Sequence, residues 1–173
     1  LWSFGRNASG QLGQNNTANT SSPVQVGSDT NWSKVATGGE TIYALKTNGT
    51  LWAWGLNNTQ GRIGDGTIID RSSPVQIGAS TGWTDIGAGG GHGTGIESGK
   101  MYVWGLNDAG QLGQNNTIDR SSPVQVGALT TWSKVYGLQY AFIAVKTDGT
   151  IWSWGRNDNG QLGQGNITNY SSP

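Results

Sequence analysis

The chain alternates short apolar runs with longer polar stretches, and the apolar runs have the period of strands. Within Leu51–Gly55 ("LWAWG") Trp52 and Trp54 project to one face and Leu51 and Ala53 to the other, because successive side chains of an extended backbone point to opposite sides. Both sets are apolar, so such a strand is covered on both faces. No ten-residue stretch carries a helical apolar period. The pattern predicts strands over Pro23–Val26, Trp32–Ala36, Thr41–Lys46 and Thr50–Gly55. Pro23 suits a strand start or a sheet edge, since proline cannot donate to a ladder. Asn48–Gly49 and Asp148–Gly149 separate apolar runs, which is the strongest short-range hairpin signal.

The whole pattern then recurs. "LWSFG" starts at Leu1, "LWAWG" at Leu51, "MYVWG" at Met101 and "IWSWG" at Ile151, each 50 residues after the last. "SSP" returns at Ser21, Ser72, Ser121 and Ser171. The chain divides into units 1–50, 51–100, 101–150 and a partial 151–173, read together as one repeat domain. The second unit gains a residue before Gly61 and loses one in "ESGK". Both changes fall where loops tolerate them.

All nine tryptophans fall into three columns of this repeat. Trp2, Trp52 and Trp152 share one with Tyr102. Trp54, Trp104 and Trp154 share a second with Phe4. Trp32, Trp83 and Trp132 form the third. Large aromatics carry the most apolar area per residue, so these columns are read as structural core rather than as a ligand-stacking row. Four short strands in each unit, covered on both faces and repeated, describe a β-propeller blade. Helical, leucine-rich and β-helix repeats have other periods.

One phrase is written almost unchanged: "FGRNASGQLGQ" at Phe4, "WGLNDAGQLGQ" at Trp104 and "WGRNDNGQLGQ" at Trp154. Its glycines, Gly10, Gly13, Gly61, Gly64, Gly110, Gly113, Gly160 and Gly163, are read as structural turns. Leu12, Ile63, Leu112 and Leu162 are read as plugs that return the loop to the blade. A phosphate cradle needs a strand leading into a helix N-terminus and usually a Lys, and the phrase has neither.

Aromatic-Gly-x-Asn-x-x-Gly-Gln-Leu-Gly followed by Pro-Val resembles the regulator of chromosome condensation repeat. The preceding segment matches the same family at Val35, Ala36, Gly38, Ala44 and Leu45, at Ile86, Gly89, His92 and Ile96, and at Val135, Ala144 and Val145. The resemblance implies an all-β fold, a β-propeller with about 3.5 four-stranded blades in this chain, part of a seven-bladed ring of about 350 residues at the observed period. His92 occupies a column where the family often has His, but Thr41 and Ala141 hold it in the neighbouring repeats. The chain opens at Leu1 without Met. The missing blades are therefore expected from further residues or from neighbouring subunits.

Composition narrows the chemistry. Lys plus Arg and Asp plus Glu are 10 each, so there is no basic field to hold a nucleic acid. There is no Cys, which excludes disulfides and thiolate metal sites. No apolar run approaches the length of a membrane span. His92 is the sole His, so no Ser-His-Asp arrangement recurs with the repeat. Asp108, Asp148 and Asp158 sit in turn contexts, and "NDNG" at Asn157 lacks the rest of a calcium loop. The residues point to no catalytic, cofactor-binding or metal site.

The expected function is a non-enzymatic propeller scaffold whose loop faces recognise a protein or a glycan. Loops poor in charge and rich in Asn, Ser and Thr favour an extracellular, cell-surface or virion setting, in a bacterial or phage protein, over a nuclear one. Nine Asn-x-Ser/Thr sequons, including Asn7 and Asn57, are glycan acceptors only on a eukaryotic secretory route. Two alternatives stay open. The family's namesake implies a guanine-nucleotide exchange factor, although no wedge loop is visible. An inhibitor of a secreted enzyme would need loop aromatics, for which Tyr140 and Tyr170 are the candidates.

Overall fold

The computed structural model describes residues 1–173. The strands in chain order are β1 (Trp2–Gly5), β2 (Thr20–Gln25), β3 (Trp32–Gly38), β4 (Thr41–Lys46), β5 (Leu51–Gly55), β6 (Arg71–Gln76), β7 (Trp83–Ala88), β8 (His92–Glu97), β9 (Lys100–Gly105), β10 (Arg120–Gln125), β11 (Trp132–Gly137), β12 (Ala141–Lys146) and β13 (Ile151–Gly155). A single helical turn, α1 (Asn58–Gly61), lies between β5 and β6. It contains the extra residue of the second repeat.

The strands form antiparallel sheets in the order β3-β4-β5-β6, β7-β8-β9-β10, β11-β12-β13 and β1-β2. Tyr170 makes an isolated antiparallel bridge to Gly155 at the edge of the third of these. The sheets are blades of a propeller, and two of them are complete. The sequence repeat and the blade are out of phase. The Asn48–Gly49 turn joins β4 to β5 across the unit boundary, so the first complete blade takes its inner strands from one unit and its outer strands from the next. Sequence periodicity has no fixed origin, whereas hairpin pairing does. The second blade shortens its turn by one residue, and Glu97 pairs directly with Lys100 around Ser98 and Gly99.

The apolar core lies in the joints between blades. One cluster joins the first complete blade to the second through Tyr43, Leu45, Leu51, Ile63, Ile86 and Trp104. Another joins the second to the third through Met101, Val103, Leu112, Val135, Phe142 and Trp154. Val26, Ala44 and Trp54 form a smaller cluster beside the β1-β2 sheet.

The aromatic columns are not uniformly buried. Trp54, Trp83, Trp104, Trp132 and Trp154 are buried, and Trp32, Trp52 and Tyr102 are partly so. Trp2 and Phe4 depart from the expected core: they are 62% and 63% exposed. The β1-β2 sheet has no inner strands, and a hollow of about 540 Å³ lined by Trp2, Phe4, Leu12, Val35 and Trp54 lies beside it. Trp152 is also 37% exposed, at the far end of the stack.

Candidate binding face

Antiparallel order places the β3–β4, β7–β8 and β11–β12 turns at the same end of each blade as the long loops that follow β5, β9 and β13. These long loops carry the repeated phrase, and each is organised by one Asn. Asn107 is fully buried. Its Oδ1 accepts the Leu112 N–H at 2.8 Å, and its Nδ2 donates to the Asn116 and Ile118 carbonyls at 2.9 and 3.1 Å. Asn57 does the same with Ile63, Thr67 and Ile69, and Asn7 with Leu12, Asn16 and Ala18. Asn157 holds Leu162 and Asn166. A carboxamide offers both an acceptor and two donors, which neither Asp nor Leu provides.

Sequence reading credited the glycines and the Leu plugs and missed these asparagines. The signal was present in the Asn that fills the fourth position of "WGxN" and "FGxN" in all four repeats. Burial also settles two sequons: Asn7 and Asn57 have no exposed side chain to carry a glycan.

The first three of these loops are latched to the following blade, whereas Gly160 and Gly163 of the last meet nothing. Gly10 lies against the outer strand of the next sheet, where a Cβ would come within 2.5 Å of Ser72 Cα. A Cβ on Gly13 would meet Trp54 Nε1 at 2.9 Å. Both have positive φ, 77° and 69°, a region that disfavours side chains. The other six turn glycines also have positive φ. Trp54 Nε1 donates to the Gln11 carbonyl and Trp154 Nε1 to the Gln111 carbonyl, both at 3.0 Å. The second repeat differs. Tyr43 donates its hydroxyl to the equivalent Arg62 carbonyl, and Trp104 Nε1 has no protein partner. Burial pushes the Tyr43 phenol well above its ordinary range.

Side chains left over from this framework occupy the loop-bearing end. Arg6 pairs with Glu40 at 2.8 Å, and Ser9 Oγ donates to the same carboxylate at 2.7 Å. On the third blade Arg156 lies 5.2 Å from the Tyr140 ring and binds Asp158 at 2.6 Å. The Arg156 guanidinium holds the Asp158 carboxyl below the usual carboxylate range. Tyr140, Gln139, Arg156, Asn159 and Gln161 line a cleft of about 370 Å³. Ile68, Ile69, Ile118 and Ile167 are exposed on the long loops. Of the two loop aromatics expected from sequence, Tyr140 lies at this face. Tyr170 does not: it bridges Gly155 and packs on the apolar cluster of the third blade.

His92 is 1% exposed, packed edge-on against Phe142 at 4.7 Å between ring centroids. Burial lowers its pKa to about 4, against a smaller opposing pull from the Ala141 backbone. Neither ring nitrogen has a hydrogen bond of good geometry. A Cβ on Gly89 would fall 2.1 Å from His92 Nε2, so this ring fills the space that the glycine turn leaves. No group of three or more His, Asp or Glu gathers at metal-ligating distance, and no helix is long and apolar enough to cross a membrane.

The loop and blade pattern is shared with known proteins. Human WBSCR16 superposes with a TM-score of 0.87 at 26% identity, covering 99% of this chain and 47% of its own. Prp20p of Saccharomyces cerevisiae superposes with a TM-score of 0.85 at 21% identity, covering 99% of this chain and 45% of its own. The chain thus spans about half the length of these propellers. The model of the regulator of chromosome condensation (RCC1) repeat matches residues 1–45, 48–96, 98–137 and 148–173, and on that near-complete match the chain belongs to the RCC1 repeat family.

Proposed function

We propose that this chain is a non-catalytic recognition scaffold that presents its loop-bearing end to a protein partner. The observation that carries the reading is the third-blade cluster. Arg156 is held by Tyr140 and Asp158 on a loop already fixed by Asn157, yet no contact of the fold requires that trio. Aromatic and Arg side chains on a rigid base are the usual anchors of protein interfaces. Prp20p, a propeller of the same fold, has been studied for its binding to Gsp1p and histones and solved with Kap60, which supports a protein as the partner here.

The same cleft supports a glycan reading, because it sets one aromatic among the Gln139, Asn159 and Gln161 amides. The low charge of the long loops supports placing this face outside the cell or on a virion. The test is site-specific photocrosslinking in the source organism. Tyr140→p-benzoylphenylalanine is expected to give a discrete protein adduct. Asp148→p-benzoylphenylalanine, in the β12–β13 turn at the opposite end, is expected to give none. Equal labelling from both positions removes the assignment to this face. Loss of the adduct on adding free saccharides selects the glycan reading.

A further inference from the structure

The inner strands β3, β7 and β11 lie side by side and line one narrow cleft. The position two residues after each inner Trp faces the following blade, and it reads Lys34, Asp85, Lys134. In the first closed joint Lys34 Nζ donates to Asp85 Oδ1. The Asp85 side chain is 2% exposed. In the second joint its other oxygen, Oδ2, accepts the Val135 N–H at 2.9 Å. One buried carboxylate therefore ties three consecutive inner strands.

Lys134 stands in the place of Lys34 but makes no ion pair. It is exposed on the outer face of β11, with Tyr136 beside it, 53% exposed. The equivalent face is covered by a following inner strand in both other joints and is open here.

We propose that the open face of β11 docks an acidic inner strand, a further repeat segment with Asp or Glu two residues after its Trp. Trp83-Thr84-Asp85-Ile86 is the pattern. The carboxylate accepts from Lys134 Nζ as Asp85 accepts from Lys34. A second copy of this chain does not fit. The copy's unpaired inner strand is β3, which brings Lys34 to the column, so two ammonium groups would meet with no carboxylate between them. The copy's own Asp85 is already enclosed between its neighbours. Charge thus selects which blade follows which, and like-charged inner strands are kept apart.

The test uses protein isolated from its source and treated with a zero-length carbodiimide, which joins a Lys amine to a carboxylate in direct contact. The Lys34–Asp85 amide reports that the reagent reaches a closed joint. The expected result is an amide from Lys134 to an Asp or Glu two residues after a Trp, in a segment outside the 173 residues described. Acetylation of Lys134 is expected to be slower than that of exposed Lys100 by about tenfold. Lys134→Met should abolish the crosslink and leave Lys34–Asp85 intact. Three results overturn the proposal: an amide to a second copy of these residues, acetylation of Lys134 as fast as Lys100, or protection of Lys134 with no carboxylate attached.

Discussion

The closed joints and the open ends of this molecule are built from the same residues in opposite circumstances. Trp54 and Phe4 hold equivalent positions, yet one is 1% exposed and the other 63%. Gly10 and Gly160 hold equivalent positions, yet a Cβ on the first would strike Ser72 and one on the second would meet nothing within 4 Å. Val135 is 1% exposed and Val35 40%. Burial in a repeat protein belongs to the contact between units, so a residue's worth depends on whether a neighbour stands beside it.

The widest gap between the two regions is expected at the aromatic columns. Trp104→Ala should cost about 3–5 kcal/mol by chemical denaturation, the usual range for emptying a buried aromatic site. Phe4→Ala should cost under about 0.5 kcal/mol, as surface changes do. Equal losses at both positions would mean that Phe4 is covered in solution.

His92 sharpens the comparison within a closed joint. Its folded pKa of about 4 lies below its ordinary 6.5. As pH falls, the unfolded chain takes up the proton first, so the folded state loses stability from pH 6.5 down to about 4. The full loss is about 3 kcal/mol. His92→Thr, the residue found at Thr41, should flatten that part of the stability-against-pH curve.

The loop glycines come next. Gly61→Ala adds left-handed strain and places a methyl 2.4 Å from Ser121 Cα, for about 2–3 kcal/mol in all. Gly160→Ala carries the backbone strain alone, about 1 kcal/mol. Thermal midpoints of the pair would show whether the latch or the turn dominates. The smallest effect is expected at Lys146, whose Nζ lies 3.7 Å from the Trp152 ring. Lys146→Met should cost about 0.5 kcal/mol, as exposed cation–π pairs do.

The strands and hairpins were legible because β-branched and aromatic alternation around Asn-Gly and Asp-Gly is a local signal. The binding face was legible only in part. Tyr140 stood out as a loop aromatic, but its approach to Arg156 depends on two loops of one blade meeting in space. Asn107 and its equivalents looked like ordinary loop residues, because polar character does not reveal that a side chain turns inward to satisfy carbonyls. Asp85 carried no local signal, since its partners Lys34 and Val135 lie 51 and 50 residues away.

By itself the amino-acid sequence determined the repeat, its period, the strand pattern and the propeller class, because each follows from short-range periodicity and turn chemistry. Tertiary structure alone decided where a blade begins, which members of an aromatic column are buried, and which charges face each other. Those properties arise from contacts between units about 50 residues apart, and a repeated sequence carries the same local pattern whether or not its neighbour is in place.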